Sequence, residues 1–225
     1  VAARPRVELF DNAKAVLIVC VVLYHTSVVY TSADRPENPI PFWSGLLALL
    51  KAVVMPSFCL ISGHLSKADI TRKRALGMVQ LLAAYLIFQL LHHLNNALAF
   101  TLNGFDFDTF PLQVFAPKEQ VVTWFLLSLL IWRAMLPVLV TLRAPITTTF
   151  VAAHLALFVD LGLNYANLLS FMPYFVVGYY VPPSLWVAIS TPRVRLSLGA
   201  AFCCACAALL LCSALGACAA THTAA

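Results

Sequence analysis

The sequence predicts an all-α fold, a polytopic integral membrane helical bundle of about seven spans. Three observations lead there. First, 62% of the 225 residues are hydrophobic and only 10% are charged, whereas a water-soluble domain carries about 25% charged residues and about 45–50% apolar ones. Second, the mean hydropathy is +0.89, and the apolar residues gather in long runs rather than scattering. Third, the basic residues alternate between rich and poor connecting segments along the chain. Too few polar side chains remain to cover a globular surface in water, so lipid must solvate much of the protein. Fifteen Phe and four Trp exclude a disordered chain, and no sustained two-residue alternation supports a barrel.

A crossing helix needs about 20 mostly apolar residues. The stretches that approach this are Ala13–Tyr30, Phe42–Leu65, Leu76–Phe100, Val121–Leu142, Ile146–Leu163, Leu168–Ile189 and Leu196–Ala220. Polar or Pro-rich breaks separate them, such as Asp34–Pro39 and Asn103–Glu119. Residues 1–225 are expected to form a single membrane domain whose residues 196–220 are a nearly low-complexity Ala/Leu/Cys-rich last helix; the chain starts at Val1 without a Met and is read as a fragment, incomplete at its C-terminus.

With a cytoplasmic N-terminus, the inner segments hold Arg4, Arg6, Lys67, Arg72, Lys73, Arg74, Arg143, Arg193 and Arg195. The outer segments hold only Arg35 and Lys118, and Lys14, Lys51 and Arg133 stay in or at the edges of spans. Nine against two is the cytoplasmic excess of Lys and Arg expected of a membrane protein. Asp34, Glu37, Asp106, Asp108, Glu119 and Asp160 then fall mainly outside. A cleaved signal peptide ending near Thr31-Ser32-Ala33 is the rival reading of the first span. Lys14 and His25 within that span, and six spans after it, oppose it.

The seven cysteines form no disulfide framework: Cys20 and Cys59 lie inside spans, and Cys203, Cys204, Cys206, Cys212 and Cys218 lie in the last helix. Cys203-Cys204-x-Cys206 lacks a second ligand pair, and adjacent His92 and His93 diverge by about 100° on a helix, so no metal site is expected. There is no P-loop, GxSxG elbow or HExxH motif, and nucleic acid is not among the expected partners.

Ionisable groups in hydrocarbon cost about 2.5–3.5 kcal/mol, so each becomes a functional candidate. Lys14 and His25 are eleven residues apart, which on an ideal helix is about three turns, one face and roughly 16 Å along the axis. Asp11 neighbours Lys14 on that face. Taken singly, Lys14 reads equally as a snorkelling anchor and His25 as an interhelical hydrogen-bonding group. Taken together, a cation and an imidazole aligned through the membrane suit a co-substrate threaded between them. In the second span, Pro56 and Gly63 flank a polar-lined stretch containing Ser57 and Ser62, where a bent helix is expected and Gly63 permits close helix approach. The fourth span carries Trp124 near its outer end and Arg133 near its middle, and a mid-span Arg must be paired or meet an anion. His154 reads as a packing residue.

Phe10-Asp11-Asn12-Ala13-Lys14 through His25 resembles the first helix of the acyltransferase-3 family, whose signature is Arg or Lys, ten residues, then His. The nearest branch in this resemblance is that of the fucose 4-O-acetylase-like acetyltransferases. Met55-Pro56-Ser57-Phe58 through Ser62-Gly63 is similar to the family's second-helix motif, and Lys73-Arg74 to its basic lead-in. Trp124-Phe125-Leu126 with Trp132-Arg133, and Pro173-Tyr174-Phe175 through Gly178-Tyr179-Tyr180, resemble two later segments. The motifs run in order over about residues 8–181. Two departures stand out: Ala84 where a Pro is frequent, and Val122-Thr123 where a His often precedes the Trp-Phe-Leu triplet. The family usually has about ten membrane helices.

The resemblance implies acetyl transfer from cytoplasmic acetyl-CoA, a co-substrate rather than a bound cofactor, to a carbohydrate hydroxyl. His25 is then the expected general base. Lys14, with Arg72, Lys73 and Arg74, would attract the nucleotide phosphates, while Asp11, Ser62, Trp124 and Arg133 would contribute to substrate binding. Two other classes fit the composition: a multispan transporter of a small anion or sugar, and a truncated inactive paralogue.

Overall fold

A computed structural model describes residues 8–28, 41–104, 123–159, 163–189 and 191–193, with single positions 196, 197, 200, 204 and 207. Among these residues all regular structure is helical, as predicted: α1 (Glu8–Val28), α2 (Pro41–His64), α3 (Arg72–Leu102), α4 (Trp124–Leu139), α5 (Pro145–Leu155), α6 (Leu163–Tyr180) and α7 (Pro183–Ile189). The helix expected over 196–220 lies outside the described residues except for those single positions. So do Arg4, Arg6, Arg35, Lys118 and Arg195, the carboxylates Asp34, Glu37, Asp106, Asp108, Glu119 and Asp160, and Cys203, Cys206, Cys212 and Cys218.

Span lengths depart from the sequence expectation in an instructive way. Leu9–Val28, Gly45–His64 and Arg72–Leu102 are long and apolar enough to cross a membrane, while Trp124–Leu139 and Pro145–Phe158 are shorter apolar helices. The stretch expected as one span over Leu168–Ile189 is broken: α6 ends at Tyr180 and α7 starts at Pro183. Pro182-Pro183 explains the break, because proline lacks the N–H that continues a helix and disfavours helical geometry in the residue before it.

The chain packs as two compact units. The first comprises Val1–Ile61 and Val181–Ala225. Here α1 meets α7 through Phe10 and Trp186, whose rings lie edge to face at 5.1 Å and 74°, the geometry that aromatic quadrupoles favour. Along α2, Val54, Cys59 and Ile61 are buried. Pro56 lies inside this helix and leaves the Ala52 carbonyl without its usual donor four residues on.

The second unit, Ser62–Tyr180, stacks α3 on α4, α4 on α6, and α6 on α5. Its core is Tyr85, Trp132, Leu136, Met172, Phe175 and Val176. Trp132 and Phe175 rings tilt against each other at 5.5 Å, and the Trp132 indole N–H donates to the Leu168 carbonyl at 3.0 Å. Thr71 starts α3, its hydroxyl accepting the Arg74 backbone N–H at 3.3 Å, which satisfies one donor of the open first turn. The helix stops where Asn103 folds back on Ala99 through its side chain at 2.7 Å and Gly104 takes φ 74°, a left-handed geometry that suits glycine. Hydroxyls on these helices bond their own backbone, as Thr149 does to Pro145 at 3.0 Å, so few polar groups face lipid unmet.

At Gly63 the backbone of α2 comes close to that of α6. A Cβ there would fall 2.8 Å from the Phe175 carbonyl carbon and 3.0 Å from the Tyr179 nitrogen, with the Phe175 oxygen nearer still. Only a residue without a side chain lets the two backbones meet.

Candidate functional site

The α1 helix sorts its residues by face. Val16, Ile18, Val19, Val22 and Leu23 are exposed, whereas Phe10 is buried and Lys14, Leu17, Val21 and His25 are half-buried. The covered positions recur every three or four residues, as one face of a helix must. Lys14 and His25 therefore share the partly covered stripe and not the side open to lipid. The His25 ring stands edge-on to Tyr24 at 5.2 Å. The next residue, Thr26, is occupied by its own helix backbone, bonding the Val22 carbonyl at 2.9 Å. Asp11 sits on the exposed side of the N-terminal turn.

The other candidates lie in the second unit, where the structure brings Arg74 and Arg133 together. Arg74 Nη1 donates to the carbonyls of Ala68 at 2.5 Å and Asp69 at 3.2 Å, and Nη2 donates to the carbonyl of Arg133. Pro137 explains the last bond: standing four residues after Arg133 within α4, it has no N–H to return to that carbonyl. Arg74 supplies the missing donor from another helix. The Arg133 side chain is half-buried, and its Nε is enclosed with no hydrogen-bond partner among the described residues. Sequence reading singled out both arginines but missed their pairing, and Pro137 was the available signal.

Ser62 is half-buried and its carbonyl accepts the Ser66 hydroxyl at 2.7 Å. Trp124 is buried, tilted on Phe171 at 5.5 Å and edge-on to Phe125 at 6.1 Å, so its faces are engaged in packing. The residue before it, Thr123, closes a buried relay that the sequence did not disclose. Its hydroxyl donates to Gln89 Oε1 at 2.9 Å, and Gln89 Nε2 donates to the Tyr85 hydroxyl at 3.0 Å. This relay ties the middle of α3 to the start of α4 beside Ala84 and at Thr123, two places where the chain departs from the motif pattern it resembles.

Two other histidines have partners within their own helices: His154 Nδ1 lies 2.8 Å from the Phe150 carbonyl, and His92 Nε2 lies 3.4 Å from Asn96 Nδ2. Among the described residues, no three of His, Cys, Asp and Glu gather where they could hold a metal ion.

No curated protein and no solved structure matches the chain. A family model does, that of the acyltransferase-3 acyltransferase domain, over residues 7–223. That match takes in both packed units, from the α1 stripe to the Arg74–Arg133 junction and beyond. The chain is therefore a member of the acyltransferase-3 family, an integral membrane acyltransferase.

Proposed function

We propose that this protein is an O-acetyltransferase of the fucose 4-O-acetylase-like kind, moving an acetyl group from cytoplasmic acetyl-CoA to a carbohydrate hydroxyl. The observation that carries the reading is the placement of Lys14 and His25 on one half-buried stripe of α1, inside the region that the family model matches. With the N-terminus in the cytoplasm, Lys14 sits near the inner headgroups. There it attracts the phosphates of the donor, while the long, nearly neutral pantetheine arm passes along the stripe at small desolvation cost.

At the level of His25 the neutral imidazole removes the proton of the sugar hydroxyl as its oxygen attacks the thioester carbon. The C–O bond forms, the C–S bond breaks, and the proton passes from the imidazole to the departing thiolate. Atoms and charge balance with CoA thiol and an acetyl ester as products. Asp11, three residues before Lys14 on the exposed side of α1, is a further candidate for substrate binding.

The test uses purified protein in nanodiscs with radiolabelled acetyl-CoA and a panel of glycans. His25→Ala is expected to lower the transfer rate by about 10²–10⁴-fold, the range that general acid–base groups supply. Lys14→Ala is expected mainly to raise the concentration of donor needed for half-maximal rate. Transfer at the unmodified rate in both variants, equally well inserted, would remove the mechanism.

A further inference from the structure

The Arg74–Arg133 junction holds two positive charges and nothing described that neutralises them. Among the described residues the Arg74 side chain bonds only to the neutral carbonyls of Ala68, Asp69 and Arg133. Arg133 makes no side-chain hydrogen bond among the described residues, its Nε is enclosed, and its charged neighbour is the like charge of Arg74. The one carboxylate among the described residues of this unit, Asp69, is exposed and offers Arg74 its backbone. A guanidinium in such surroundings needs a counter-charge, because desolvating it without one costs several kcal/mol. The Pro137 break also makes the arrangement rigid, since Arg74 is anchored by the carbonyl that Pro137 leaves open.

We propose that Arg133 and Arg74 form a binding site for a phosphate group. Arg133 contacts the phosphate oxygens, and Arg74, anchored by three carbonyls, holds the Arg133 backbone in place and adds the second charge. The planar donor fork of Arg133 with the second charge of Arg74 suits the several oxygens and double charge of a phosphate monoester better than a single carboxylate. Exposed Lys67, Arg72 and Lys73 near the start of α3 add positive potential on the approach. The phosphate comes either from the nucleotide end of the acyl donor or from a phospholipid headgroup. Only the first source rests on the acetyl-transfer reading; it would narrow the substrate-binding role expected of Arg133 to the donor's phosphate.

The experiment measures binding without turnover, on the full chain in nanodiscs. In one arm the lipid is phosphatidylcholine alone and adenosine 3′,5′-bisphosphate is titrated. In the other, native mass spectrometry counts phosphatidylglycerol retained from mixed nanodiscs. Arg133→Gln is expected to weaken one of the two by at least about tenfold, or about 1.4 kcal/mol. Arg133→Lys, which keeps the charge and loses the fork, is expected to recover only part of the loss and serves where the Gln variant fails to fold. A loss in the first arm assigns the site to the nucleotide, and a loss confined to the second assigns it to lipid. Wild-type binding by a folded variant in both arms overturns the proposal. A wild-type protein that binds the bisphosphate but transfers no acetyl group would leave this site standing and remove only the transferase reading.

Discussion

Two glycines show how much one missing side chain decides. At Gly63 a Cβ would press on the Phe175 carbonyl and the Tyr179 nitrogen, whereas at Gly77, early in α3, it would meet nothing within 4 Å. The same substitution should therefore have opposite effects. Gly63→Ala is expected to destabilise the protein by about 1–3 kcal/mol, as overpacking does. Gly77→Ala is expected to be neutral or stabilising by up to about 1 kcal/mol, as alanine for glycine in a helix interior is. Thermal unfolding midpoints in detergent compare the two directly. Gly63 was legible in the sequence as a close-approach residue, because it stands at the end of a Pro-containing apolar run. Its partner was not, since Phe175 lies more than a hundred residues later and nothing local connects them. His25 and Lys14 were legible for the opposite reason: their relation is internal to one helix, and eleven residues fix the shared face without any knowledge of the fold.

Among the helices, α4 best shows how a break is repaired from outside. Pro137 deprives Arg133 of its intrahelical donor, and Arg74 at the start of α3 replaces it. Restoring the N–H with Pro137→Ala should make that bond redundant. Arg74→Gln is then expected to cost stability in the native background and less in the Pro137→Ala background. The coupling energy should be about 0.6–1.7 kcal/mol, the range of interhelical hydrogen bonds in membranes. Equal costs in the two backgrounds, from chemical unfolding of all four proteins, would show that Arg74 does not support α4. The pattern of apolar runs revealed which segments are helices because hydrophobicity is a local property. Lengths and ends were less legible. The Pro182-Pro183 pair that divides α6 from α7 was a local signal outweighed by the apolar residues around it. The Tyr85–Gln89–Thr123 relay left no mark at all, because one buried glutamine in a span reads like any other polar interruption until α4 is laid against it.

For the molecule as a whole, the alternation of basic segments sets an expected orientation. Lys67, Arg72, Lys73 and Arg143 are exposed at connections on the side assigned to the cytoplasm. A single cysteine at Lys73, in a background with the seven natural cysteines replaced, should react with a membrane-impermeant maleimide only when the cytoplasmic face is open. Labelling from the opposite face in sealed vesicles would reverse the topology and detach Lys14 from the donor's compartment. Scale also gives α3 a particular consequence. Its 31 residues make a rod of about 46 Å, against a hydrocarbon layer of about 30 Å. Such a rod must lean steeply or stand proud of the lipid, and Asn95, Asn96, Thr101 and Asn103 near its far end suit a wetted tip. An upright α3 would carry a mast beyond the headgroups, so that any bulky molecule approaching from that side meets polypeptide before it reaches the bilayer.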